Sequence, residues 1–233
     1  EYAVRQLRTQ LDPREHRIVT AIGGEDVFCR TLRLPTADSS ELKQMLDLQI
    51  DSLAPLPVED VVYGFETLET TGGETRLLLA VASKAAVNER VASLEAAGLP
   101  PEVVSVDALA VFRELMQRAV VPHDEKLNAL VLVSPTAANI IIYSRGNLVA
   151  LRSLVLGAYG VAGGEMQAAI HEELQRTLVS AEVDQPGIET GRVSFATWSE
   201  RLRDGVAELA RGWGESAEFL SNGSSPTPSV SVC

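Results

Sequence analysis

Catalysis and metal binding need particular residue types at particular spacings, and this chain offers only fragments of such patterns. His171-Glu172-Glu173-Leu174 opens like the helix of a zinc hydrolase, in which two histidines four residues apart hold the metal and the glutamate between them activates water. The second histidine position is Gln175, so the run reads as a surface helix face. His16 and His123 stand apart in polar contexts. Carboxylates pair at Glu59-Asp60, at Glu172-Glu173 and at Asp47 with Asp51. General acid–base work would need one member of a pair buried with a raised pKa, and polar neighbours surround all three pairs. Neither a GxSxG elbow nor a Walker loop occurs. Gly23-Gly24 and Gly72-Gly73 fit hairpin turns, where glycine accepts positive φ. Gly163-Gly164 precedes a helical pattern and reads as a helix start, although such a start can also present amides to an anion.

Composition narrows the function classes further. The 233 residues are 45% hydrophobic and 22% charged, enough for one large core or two small ones. A formal net charge of -12 argues against nucleic-acid and anionic-membrane surfaces, which need basic patches, and favours protein partners. The two cysteines are Cys29, in an apolar strand pattern, and Cys233, in a polar tail. They form no disulfide framework, which fits a reducing compartment. No apolar run reaches the roughly 18 residues of a membrane helix, and no signal peptide is visible. The chain opens on Glu1, so the expectation is a fragment of a longer protein, with residues 221–233 (SNGSSPTPSVSVC) a flexible linker or tail.

The elements that must position any site follow from periodicity. Val4, Leu7 and Leu11 predict a helix over 1–11, ended by Asp12-Pro13. Arg17–Ile22 and Val27–Leu34 predict two strands of a hairpin turning at Gly23-Gly24. Ser39-Ser40-Glu41 opens a helix with apolar face Leu42, Met45, Leu46, Ile50 and Leu53, closed by Pro55 and Pro57. Two strands follow around Gly72-Gly73, then a helix over Ala85–Ala97, a short strand VVSVD, and a helix over Ala108–Val120. NALVLVSPTAANIIIYSRGNLVALRSLVLG, from Asn128, predicts two or three strands turning at SPTAAN and at Arg145-Gly146-Asn147. Val161–Ser180 predicts a helix, RVSFATW a strand, and Ser199–Gly212 an amphipathic helix capped by Ser199.

ELKQMLDLQIDSLAPLPVEDVVYGFE, a following strand, and VNERVASLEAAGLPPEVVSVDALAVFREL together resemble the GspL/PilM group of type II secretion and type IV pilus assembly proteins, relatives of the actin-like FtsA. The matching features are the Leu34-Pro35 strand end, the acidic amphipathic helix broken by Pro55-Leu56-Pro57, the EAAGL helix end at 95–99, and the strand-to-helix step at Asp107-Ala108-Leu109. The resemblance covers about residues 15 to 213. It implies an α/β, two-lobed actin-like (ribonuclease H-like) fold with an inserted strand–helix–strand–strand module. Residues 1–26 with 84–122 would form the first lobe, 27–83 the insertion, 123–220 the second lobe, and 221–233 a tail. The connection before RVSFATW is too short for the extra second-lobe subdomain of FtsA and PilM, which points within the group toward GspL.

The resemblance also locates a nucleotide site to test. In active relatives the turn at SPTAAN carries Asp-x-Gly, the aspartate organising a metal-bound water and the glycine letting amides approach the phosphates. Here those positions fall at Leu132 and Ser134, or, shifted by two, at Ser134 and Thr136, and neither placement supplies a carboxylate or a glycine. Where a Gly-Gly would receive adenosine stands Ala196-Thr197-Trp198, and Trp198 would crowd a purine. The resemblance therefore implies no cofactor, no metal, no enzymatic activity and a degenerate site. The expected function is a scaffold at the cytoplasmic side of the bacterial inner membrane. It would link a GspE/PilB-like assembly ATPase to GspM/PilN-like platform proteins, with a homodimer left open and no nucleic acid involved. Asp47, Leu48 and Asp51 mark the candidate docking face. The alternative is a PilM-like ATP-binding protein with a divergent site. A sugar- or acid-kinase relative would need a cleft aspartate and phosphate glycines that the loops lack.

Overall fold

The computed structural model describes residues 12–157 and 164–220. The helix expected over 1–11, Gly163 of the third glycine pair and the tail from Ser221 lie outside them.

Among the described residues ten strands form three sheets. β1 (Val19–Ile22) pairs in parallel with β5 (Val103–Val106). Between them the chain builds β2 (Val27–Leu34), α1 (Ser39–Leu53), β3 (Val61–Thr71), β4 (Glu74–Ser83) and α2 (Lys84–Ala96). The strands β2, β4 and β3 make an antiparallel sheet in the order β2-β4-β3. After β5 come α3 (Asp107–Gln117), β6 (Leu127–Val133), β7 (Ala137–Ser144), β8 (Asn147–Val155), α4 (Gly164–Asp184), β9 (Thr190–Ala196), α5 (Arg203–Trp213) and β10 (Ala217–Phe219). The last five strands form one mixed sheet ordered β10-β9-β6-β7-β8. Here β6, β7 and β8 run antiparallel, while β9 and β10 run parallel to β6.

The sequence dictates most of this locally. β6 and β7 are near-continuous apolar runs, as strands covered on both faces must be, and every residue in both is buried. One face packs on α4 and α5 through Met166, Ile170, Leu174, Val206 and Leu209. The other faces α3 and residues from both smaller sheets. The hairpin at Gly72-Gly73 forms as expected, with both glycines at positive φ (63° and 82°). Leu42, Leu46 and Ile50 of α1 seal the far face of the three-stranded sheet against Leu77, Leu79 and Val81.

Three local expectations need correction. Gly23-Gly24 does not turn a hairpin, because β1 joins β5 while β2 joins β4. Its glycines serve a close approach instead: a Cβ on Gly24 would lie 2.2 Å from the Asn139 side chain of β7. The α1 cap is Asp38 rather than a serine; its carboxylate accepts from the backbone N–H groups of Ser40 (2.9 Å) and Glu41 (3.0 Å). Ser199 makes no side-chain cap; a single 3-10 turn at Glu200–Leu202 precedes α5, and β10 follows where no strand was expected.

Candidate functional site

Leu132, Ser134 and Trp198 meet at one end of the five-stranded sheet. Leu132 sits opposite Ala196 in the β6–β9 ladder, and Trp198 follows Ala196 by two residues. Leu132 is 3% exposed and belongs to the core beneath the sheet. Ser134 closes the β6–β7 turn on itself: its N–H donates to the Ala137 carbonyl at 2.8 Å, and its hydroxyl accepts from the Ala137 N–H at 2.9 Å. Those groups are consumed within the turn, whereas a phosphate loop leaves amides free for the ligand. Trp198 is 42% exposed at the strand end. The corner at Gly24, after the carboxyl end of β1, abuts Asn139 of β7, the ladder neighbour of Leu132. On the β1–β5 side stands Asp107. Burial raises its pKa above the ordinary carboxylate range, a bond from the Ala108 N–H opposes that, and the charge of Glu25 adds to it.

A second concavity lies between β3 and the β1–β5 sheet. It is a groove of about 280 Å³ walled by Val62, Gly64 and Glu66 of β3, Val104 and Val106 of β5, and Leu109 of α3. Its floor is made by Leu78, Ala80 and Ala82 of β4. Gly64 pairs with Ala80 in the β3–β4 ladder, so two small residues set the depth. A Cβ on Gly64 would meet nothing within 4 Å. Among the described residues β3 is an edge strand, bonded to β4 alone. Its free edge therefore offers unpaired backbone groups beside an apolar floor, the arrangement that binds extended peptides by strand addition. Across the mouth, Arg113 of α3 pairs with Glu66 at 2.6 Å.

Asp47, Leu48 and Asp51 lie on the exposed side of α1, across the three-stranded sheet from the groove. Leu48 is 86% exposed. Asp47 accepts a hydrogen bond from the Tyr63 hydroxyl, and burial followed by that bond pushes the Tyr63 pKa up to about 12. Reading the sequence by catalytic motifs passed over the groove residues. The available signal was Gly64 inside VVYGFE, since a glycine within a strand marks a bulge or a close backbone approach. Among the described residues no group of three or more His, Cys, Asp or Glu could hold a metal ion, and no helix is long and apolar enough to cross a membrane.

The family described as "Type IV pilus assembly protein PilM" matches residues 1–183. The chain belongs to the PilM family. A chain of the solved "PilM-PilN type IV pilus biogenesis complex" superposes with a TM-score of 0.69 at 20% identity, covering 94% of this chain and 74% of that one. The cytoplasmic domain of EpsL, an inner membrane component of the type II secretion system of Vibrio cholerae, matches at a TM-score of 0.48 and 14% identity, covering 84% of this chain and 67% of that one. A Bacteroides thetaiotaomicron protein with an actin-like ATPase fold and unknown function matches at 0.48 and 12%, covering 89% and 69%. The fold is thus mixed α/β and shared with that PilM chain, and the protein is a type IV pilus assembly protein of the PilM family. The short connection at 185–189 between α4 and β9 had suggested the GspL side of the group. That connection lies beyond the residues that the PilM family matches.

Proposed function

We propose that this PilM-family chain is a non-enzymatic adaptor whose groove receives an extended, apolar segment of a PilN-like partner, added as a strand to the free edge of β3. The observation that carries it is the unpaired β3 edge standing over the small-residue floor of Gly64 and Ala80. The solved relative is a complex with PilN, which supports that class of partner. The adaptor would work at the cytoplasmic side of the inner membrane and join the platform to an assembly ATPase. The acidic outer face of α1, around Asp47, Leu48 and Asp51, is the proposed ATPase dock, where a basic partner surface gains in steering and specificity.

The nucleotide position does not serve in this reading. Ser134 spends its polar groups within the turn, Leu132 is a core residue, and Trp198 follows the strand end at which the resemblance would seat adenosine. The rival, an ATP-binding switch, draws on the close approach of Gly24, after β1, to Asn139 of β7, the ladder partner of Leu132. Calorimetry with ATP and Mg²⁺ separates the two: no heat up to millimolar nucleotide is expected, and micromolar binding would establish the switch.

The groove is tested with Gly64→Trp. The backbone at Gly64 is not at positive φ and the space above it is open, so the fold tolerates the side chain while the indole fills the groove. Binding of the PilN-like partner should weaken at least tenfold with an unchanged melting temperature. Unaltered affinity in a folded Gly64→Trp protein refutes the groove as the dock.

A further inference from the structure

Arg76 of β4 is the one arginine among the buried residues described, at 6% exposure. It lies on the β4 face that also carries Leu78, Ala80 and Ala82 into the groove. Its Nη1 donates to the carbonyl of Val149 in β8 at 2.9 Å, and its Nη2 stands 3.5 Å from the carboxylate of Glu69 in β3. Both partners reach it because of a β-bulge. On β3 the pairing runs Thr67 with Leu77 and then Glu69 with Arg76, so Leu68 is the extra residue. A one-residue shift exchanges the faces of a strand, and this one brings a carboxylate, rather than Leu68, opposite the buried guanidinium. On β8 the pairing runs Leu148 with Tyr143 and then Ala150 with Ile142, so Val149 is the extra residue. β8 is the outer strand of its sheet, with β2 packed alongside. A second arginine reinforces the joint: Arg33 of β2, directly opposite Arg76, donates to the Asp184 carbonyl at the end of α4 at 3.2 Å and pairs with Glu74 at 3.6 Å.

Two bulges that converge on one buried cation make a built connection between the groove strand and the edge of the five-stranded sheet. From this geometry we infer that Glu69, Arg76 and Val149 couple the β3 groove to β8, so that a strand added to β3 also orders β8. Arg76 is a positioning residue in this device and does not itself touch the partner. The partner arm of the inference rests on the groove reading above; the coupling itself does not.

Hydrogen–deuterium exchange of the whole chain tests it, with wild type, Arg76→Met and Glu69→Gln. Without partner, Arg76→Met should speed exchange in 61–71 and 147–155 together, by about tenfold or more, as loss of its charge-assisted hydrogen bond to Val149 and of its contact with Glu69 implies. Exchange in the buried strands β6 and β7 should stay unchanged. If only one of the two segments responds, or neither, the coupling is wrong. Should Arg76→Met fail to fold, Glu69→Gln with partner decides, because it cuts the contact to β3 and keeps the bond from Arg76 to Val149. With the PilN-like partner added, wild type should gain protection in both segments and Glu69→Gln in β3 alone. Protection of β3 alone in wild type overturns the coupling and leaves the groove standing. Protection of neither removes the groove reading, and the partner-free comparison then decides the coupling.

Discussion

Leu48 and Asp107 show how differently two single residues constrain this protein. Leu48 is 86% exposed on α1, so Leu48→Asp should change stability by no more than about 0.5 kcal/mol, as for most surface substitutions. If the outer face of α1 docks the assembly ATPase through Leu48, the same change replaces the apolar contact between Asp47 and Asp51 with a charge that the interface must desolvate, and abolishes co-precipitation of the ATPase. Retained capture at wild-type levels moves the dock elsewhere. Asp107 is a half-buried carboxylate whose pKa burial raises. A carboxyl with a folded pKa above its unfolded value opposes folding once ionised. The penalty is therefore fully present above the folded pKa and absent below the unfolded one. Asp107→Asn keeps an oxygen to accept from the Ala108 N–H and should raise the melting temperature at pH 7. That gain should shrink as pH falls through the carboxylate range. A gain that persists in acid assigns the effect to something other than charge burial.

At the scale of elements, α1 depends on a cap that the sequence read one residue too late. Asp38 accepts from Ser40 and Glu41, and these bonds, led by the Ser40 side chain, hold its pKa below the usual carboxylate value. The stability it contributes is present above the unfolded pKa and fades as pH falls through the lowered folded one. Asp38→Ala should lower the thermal midpoint at neutral pH, and the difference from wild type should close below the carboxylate range; a constant difference across pH contradicts the cap. Elements whose signal is local were legible in sequence: the α1 stripe of Leu42, Leu46 and Ile50, the Gly72-Gly73 hairpin, and the apolar runs of β6 and β7. Elements whose fate is decided by distant partners were not. Gly23-Gly24 looks like a hairpin turn because both flanking runs favour strands, yet β1 finds β5 some eighty residues later. The bulges at Leu68 and Val149 leave no mark in periodicity, since a bulge exists only relative to the strand opposite. β10, three half-buried residues long, is too short to show alternation. The same division holds at the candidate sites. Leu132, Ser134 and Trp198 were found because one turn and one strand end define them, whereas the groove needs β3, β4, β5 and α3 assembled before it exists.

For the molecule as a whole, the decisive feature is a core shared by all three sheets. Ile22 and Val106 of the two-stranded sheet, Cys29 and Leu78 of the three-stranded sheet, and Leu130, Ile141 and Tyr143 of the five-stranded sheet pack in one cluster, with the Phe112 ring 5.1 Å from that of Tyr143. Two lobes joined only by a hinge would unfold separately; sheets that share side-chain contacts lose their packing together. Two probes report from opposite sides of this core. The Trp213 ring lies tilted against that of His171 of α4, with centroids 4.6 Å apart. Cys29 lies in β2 at 4% exposure, and burial, with the nearby charge of Asp107, pushes its thiol up to about 12, so it is inert while folded. In a Cys233→Ser background, urea unfolding followed by tryptophan emission and by thiol labelling of Cys29 should give superimposable transitions. Leu78→Ala should shift both by the same amount, about 2–5 kcal/mol for a buried leucine. Labelling of Cys29 at lower urea than the tryptophan change would show that the three-stranded sheet opens on its own. The inferred link from the β3 groove through Arg76 to β8 would then have no rigid body to act through.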